Sequence, residues 1–192
     1  MDKLTEDDLM TLERYARERP AFRAAVIAHK KQRTLRLGEH LTVVFEDRLT
    51  VQYQIQEMLR IERIFEPEGI RDELDAYNPL IPDGRNLKAT LLIEYDDPEQ
   101  RKHELARLRG VEDHIVLQVG AETTTAIADE DLERSNEQKT SAVHFLRFEL
   151  SPGMLDAWSG GADVTLRCEH PATALVTVLS PEQRCALAAD FA

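Results

Sequence analysis

The sequence predicts an α+β domain: a mostly antiparallel sheet covered by helices, with a helical N-terminal third. Two observations carry this. Short apolar strand-like runs are separated by short connections, with helical segments grouped at the start and middle of the chain. Helix start and stop residues bracket several of those segments. With 192 residues, 42 % hydrophobic and 31 % charged, the chain has the profile of a single globular domain, 1–192, whose helical region 1–37 packs on the remainder.

Taken in order, Thr5 with Asp8 three residues on is a capping-box-like start, and Leu9, Leu12 and Tyr15 carry an apolar stripe. Pro20 interrupts the pattern and predicts a second helix, with Phe22, Ala25, Val26 and His29 on one face and Gly38 closing it. Leu41–Glu46 reads as a strand, because Val43, Val44 and Phe45 are β-formers in an apolar run. Residues 48–66 read as one helix capped by Asp47. Alternation over Leu49–Gln56 gives way there to Met58, Leu59, Ile61, Ile64 and Phe65 at helical spacing. Turned at about 100° per residue, its only broad polar arc holds Gln52, Gln56, Arg60 and Arg63, so a central, largely buried helix is expected.

Tyr77–Gly84 contains two prolines and reads as a rigid connection. A strand over Leu87–Tyr95 follows, then a helix capped by Asp97, with Pro98 at its first position and Gly110 past its end. Strands are expected at Ile115–Val119 and Thr123–Ile127, and the acidic stretch Asp129–Gln138 reads as a solvated helix or loop. Ala142–Leu150 is the clearest strand. Ser151-Pro152 starts a short helix that Gly160-Gly161 stops; Val164–His170 and Ala174–Leu179 are two further strands, and Ser180-Pro181-Glu182-Gln183 caps a last helix.

The net charge of −12 repels phosphate backbones and argues against nucleic-acid binding. Cys168 and Cys185 form no Cys-x-x-Cys pair, which argues against a disulfide scaffold, a zinc ribbon or a chain-borne iron–sulfur cluster. The charged start, Met1-Asp2-Lys3-Leu4-Thr5-Glu6, is unlike a signal peptide, and no apolar run approaches the roughly 20 residues of a membrane helix. A cytoplasmic protein is expected. Walker, dinucleotide, Gly-x-Ser-x-Gly and His-Glu-x-x-His patterns do not occur, and no other catalytic motif stands out.

Three constellations remain. His144 shares a strand face with Leu146 and Phe148, and Cys168 and His170 share one with Val164 and Leu166. If these strands are neighbours, two imidazoles and a thiol converge in a set that suits zinc, copper or haem iron. A core histidine bonded to a carbonyl, and a second histidine at a turn, produce the same pattern. Glu62 falls in the apolar arc of the 48–66 helix between Val51, Ile55 and Leu59, and Glu57 lies beside Tyr53 and Ile61. A carboxylate held there is paired, metal-bound or protonated, and pairing with nearby arginines is the plainest of these. Finally, Arg19, Arg23, Lys30, Lys31, Arg33 and Arg36 form a basic stretch without an acidic residue. Such a stripe draws a small phosphorylated anion or an acidic partner face, or else neutralises the acidic remainder of the fold.

Several stretches carry a family resemblance: Leu4-Thr5-x-x-Asp8-Leu9, the run Phe45-Glu46-Asp47-Arg48 through Gln54-Ile55-Gln56-Glu57-Met58-Leu59-Arg60, Tyr77-Asn78-Pro79-Leu80-Ile81-Pro82, and Thr140-Ser141-Ala142-Val143-His144-Phe145-Leu146-Arg147-Phe148. Together they resemble an uncharacterised bacterial family, the domain of unknown function 3501, over most of the chain. The resemblance implies context only: members are often encoded beside a rubrerythrin-like protein and a cysteine-rich iron–sulfur oxidoreductase. The expectation is therefore a non-enzymatic accessory or binding protein of a redox or peroxide-defence system, with one of those proteins as partner. One alternative is a metal- or haem-binding redox protein using His144, His170, Cys168 and Glu62. Another is a sensor of a small phosphorylated anion at Arg23, Lys30, Lys31, Arg33 and Arg36.

Overall fold

A computed structural model describes residues 1–128 and 140–191. The acidic stretch Asp129–Gln138 lies outside the described residues. Among these residues, nine strands form two antiparallel sheets and six α-helices accompany them, so the α+β class holds. The five-stranded sheet has the order β1 (Thr34–Leu37), β2 (Leu41–Glu46), β3 (Asn86–Ile93), β7 (Val143–Glu149), β6 (Ile127–Ala128). The four-stranded sheet has the order β5 (Glu122–Thr125), β4 (Ile115–Val119), β8 (Val164–His170), β9 (Thr173–Val178).

Alternation fixes which side chains meet. Leu35, Leu37, Val43, Phe45, Leu87, Ala89, Leu91, Leu146 and Phe148 on one sheet join Ile115, Leu117, Val164, Leu166 and Cys168 on the other in a single buried core. At Ala126 the chain leaves one sheet for the other, and its amide donates to the Ile115 carbonyl at 2.8 Å. On the opposite side β1 and β9 lie edge to edge, where the Thr177 hydroxyl donates to the Arg36 carbonyl at 2.5 Å. Gly38 turns the β1–β2 hairpin with φ of +66°, a conformation that a side chain disfavours.

A second core belongs to the helices. Leu4, Val51, Ile55, Leu59, Leu74 and Ile81 cluster separately from the sandwich core. They come from the N-terminal segment, α2 (Arg48–Glu62), α3 (Pro67–Tyr77) and the turn after it. Asp47 caps α2 as expected, its carboxylate accepting from the Thr50 amide at 2.9 Å. Asp97 caps α4 (Pro98–Arg107), Ser151 caps α5 (Pro152–Ser159) and Ser180 caps α6 (Pro181–Ala188). No helix among the described residues is long and apolar enough to cross a membrane.

Three expectations are corrected. The N-terminal third holds one helix, α1 (Leu12–Lys31), that runs through Pro20. An internal proline costs about 3 kcal/mol. Anchors on both sides of it offset that cost: Tyr15 is fully buried, Phe22 packs edge-on against Tyr15 and beside Tyr53, and Val26 is buried. Within the supposedly helical 1–37, Thr34–Leu37 is a strand, because pairing with β2 places Leu35 and Leu37 in the core. Residues 48–66 are a helix only to Glu62; Arg63 then turns left-handed at φ of +57° and Pro67 opens α3, which the sequence reading does not contain.

Candidate ligand pocket

The five-stranded sheet has a second face. Register sets Val44, Thr90 and Phe145 in one row across it, Thr42, Leu92 and Val143 in the next, and Glu46, Lys88 and Arg147 in a third. Because α2 begins directly after β2, with Asp47 as the only joint, its first turns fold back over this face. The cover is incomplete. A cavity of about 280 Å³ remains at the seam between the two cores. Its floor is Val44, Thr90, Leu92, Val143 and Phe145; Val51, Gln54, Tyr77 and Leu80 close it from the helices, with Lys30 and Glu46 at its sides.

Its polar groups are unusual in what they lack. Glu46 is only 8 % exposed, and among the described residues its side chain has one hydrogen bond, accepted from the Thr90 hydroxyl at 2.7 Å. Among the described residues no ion pair neutralises it, although Lys30 lines the same cavity. The Gln54 amide and Tyr77 hydroxyl likewise receive no protein partner among the described residues. Elsewhere the chain satisfies such groups: Gln52 donates to the Asp8 carbonyl, Gln56 brackets the Met10 backbone, Gln118 donates to Gly120 and Gln183 to Thr34. A mostly apolar cavity with a few unengaged polar groups is what a small-molecule site requires.

The basic stretch does not form one stripe. Arg33 is 1 % exposed, so the expected surface position is corrected. Its guanidinium donates to the carbonyls of Phe45, Glu46 and Ala186 at 3.0, 3.2 and 3.0 Å and pairs with Asp190. Asp47 lies 3.5 Å from Arg33 Nε and 2.5 Å from His29 Nε2, which completes a buried charge cluster. Burial pushes the Asp190 carboxyl up to about 6 despite Arg33. Arg19 forms a fork with Glu57 at 2.7 and 2.9 Å. With Arg60 and the Tyr15 hydroxyl added, the Glu57 carboxyl is held well below the usual range, chiefly by Arg19. Lys30 turns to the cavity, while Arg23, Lys31 and Arg36 are exposed.

The two histidines are buried but do not sit on neighbouring strands. His144 lies on β7 and His170 on β8, in different sheets, because α5 carries the chain across the sandwich instead of returning it alongside itself. His144 Nε2 lies 2.7 Å from the Thr140 hydroxyl and 3.0 Å from the Ser141 carbonyl, with Glu112 at 3.6 Å. His170 Nδ1 accepts from the Ala172 amide at 3.2 Å, which leaves Nε2–H to donate to the Arg109 carbonyl at 3.1 Å. Cys168 is buried, and burial pushes its thiol up and away from the reactive thiolate. Glu62 is exposed, not buried: the buried residues of α2 end at Leu59, and none of the described residues covers the last turn on that side. Among the described residues no group of three or more His, Cys, Asp or Glu gathers as a metal ion would need.

The sequence profile of the family described as a protein of unknown function, DUF3501, matches residues 3–191. The chain belongs to this family. A crystal structure from Burkholderia pseudomallei, described as a novel protein of unknown function, is similar to this DUF3501 chain at 51 % identity and a TM-score of 0.95, with all of each chain covered. No curated protein matches. The pocket of this DUF3501 chain has one readable trace in the sequence. Val143 and Phe145 alternate with His144, Leu146 and Phe148, so both faces of that strand are apolar and both require cover. Glu46, Gln54, Tyr77 and Thr90 carry no such signal, since only the fold brings them together.

Proposed function

We propose that the protein is a non-enzymatic binding protein, accessory to a redox or peroxide-defence system, that holds a small molecule between its helices and the five-stranded sheet. One observation carries the reading. The side chains of Lys30, Gln54 and Tyr77 and an oxygen of Glu46 line a mostly apolar cavity without a protein partner among the described residues, and a ligand supplies what they lack. Among the described residues no cysteine, histidine or serine lines it. A phosphorylated anion is disfavoured there, because only one lysine of the basic stretch reaches the cavity and a carboxylate stands beside it.

The test fills the site. Val143→Trp adds volume on the cavity floor, at a half-exposed position outside the sandwich core. It is expected to abolish the fluorescence enhancement of the uncharged naphthalene dye prodan while leaving the circular dichroism spectrum unchanged. Undiminished dye binding sinks the pocket reading. The partner class, an iron–sulfur oxidoreductase or rubrerythrin-like protein, is supported by the family context alone. Lys31→Glu with Arg36→Glu is expected to weaken association with such a protein in sedimentation and to flatten its salt dependence. Both side chains are exposed, so stability changes by less than about 1 kcal/mol. Unaltered association removes the basic residues from the partner surface.

A further inference from the structure

We infer that the cavity takes a small zwitterion with an apolar body, such as a free amino acid with an apolar side chain. The inference rests on the binding-protein reading and narrows it. A carboxylate at 8 % exposure is costly unless it is paired, and among the described residues the only protein group on the Glu46 side chain is a neutral hydroxyl. Lys88 is opposite Glu46 in the strand register but forms no ion pair with it. An ammonium on the ligand fills that need and reaches the Glu46 oxygen that Thr90 leaves open.

Lys30 supplies the opposite half. Lys30 lines the same cavity, and among the described residues its side chain forms no ion pair with Glu46 or any other carboxylate, so each of the two charges lacks a counter-ion there. One positive and one negative group suit a ligand that is neutral overall and carries both charges. A simple anion meets Glu46 and a simple cation meets Lys30, so each is penalised by one wall. Most of the remaining lining is apolar and includes one aromatic ring on the floor: Val44, Val51, Leu80, Leu92, Val143 and Phe145. A cavity of about 280 Å³ has room for one amino acid. Gln54 and Tyr77 add a donor–acceptor amide and a hydroxyl for the ligand's polar end.

Calorimetric titration of the intact protein with phenylalanine, phenylethylamine and phenylpropanoate tests the inference, since the last two lack one charge each. Phenylalanine is expected to bind about tenfold to a hundredfold more tightly than either analogue, the loss of one charge-assisted contact. Lys30→Met is expected to bring phenylalanine down to the level of phenylethylamine without weakening phenylethylamine itself. Glu46→Gln keeps the acceptor for Thr90 and is expected to bring phenylalanine down to the level of phenylpropanoate. Circular dichroism confirms the fold of both variants. If all three probes bind equally, or if neither variant discriminates among them, the zwitterion inference is overturned while the pocket stands. If none of the three binds but the dye does, in a manner sensitive to Val143→Trp, the zwitterion inference alone is again overturned. Loss of dye binding as well removes the pocket.

Discussion

Replacing Arg33 with methionine is expected to destabilise the fold by about 3–5 kcal/mol in chemical denaturation, because it leaves a buried charge cluster without its central cation. The Arg33 side chain answers two carboxylates and three backbone carbonyls at once. Methionine fills the space but leaves Asp190 and Asp47 facing each other, with His29 to offset them in part. Asp190→Asn is milder, since Asp47 still neutralises the guanidinium. The double variant is expected to recover part of the loss, and strict additivity would mean that the pair does not interact. The cluster also sets a pH dependence. The folded-state pKa of Asp190, about 6, lies above its ordinary 3.8, so the fold binds that proton more tightly than the unfolded chain does. Its contribution is fully present below about pH 4 and is lost as the pH rises through about 6. Glu57 acts in the opposite sense: Arg19 depresses its pKa, so its stabilisation is lost as the pH falls. Subtracting the Asp190→Asn stability curve from that of the wild type isolates the first effect. A difference that stays flat from pH 4 to 7 rules out the raised carboxyl.

The contrast between Arg33 and its neighbours shows what a sequence can and cannot disclose here. Helix starts at Asp47, Asp97, Ser151 and Ser180 were readable because a cap acts over three residues. Strands β2, β4 and β8 were readable because alternation is also local. Arg33 was not, since its counter-ion sits 157 residues away on the last turn of the chain. The four residues of β1 are too few to outweigh a helical pattern until β2 pairs with them. His144 and His170 face inward as alternation predicts, but sheet membership depends on where α5 carries the chain. Glu62 occupies an apolar arc of an ideal helix, yet exposure is decided by what covers the final turn. The pocket is the extreme case: its residues come from α1, β2, α2, the α3 end, β3 and β7, and of them only Lys30 is a candidate binding residue in the sequence.

Phe148 and Phe145 lie three residues apart on β7 and face opposite ways, so truncating each to alanine separates the core from the pocket. Phe148 is fully buried between the sheets, with its ring centroid 6.1 Å from that of Phe45. Phe148→Ala removes that contact and opens a cavity, at an expected cost of about 3–5 kcal/mol. Phe145 is half-buried on the other face, where it forms part of the cavity floor. Phe145→Ala forfeits only part of a side-chain burial, about 1 kcal/mol, because the space it leaves already opens to the pocket. The effects on ligand binding run in the reverse order. Phe145→Ala is expected to weaken phenylalanine binding several-fold through loss of the ring face beneath the ligand, whereas Phe148→Ala leaves the affinity of its folded fraction unchanged. Denaturation midpoints and calorimetric titration of the same two variants measure both quantities. Equal destabilisation would place Phe145 in a continuous core and leave no seam for a ligand to occupy.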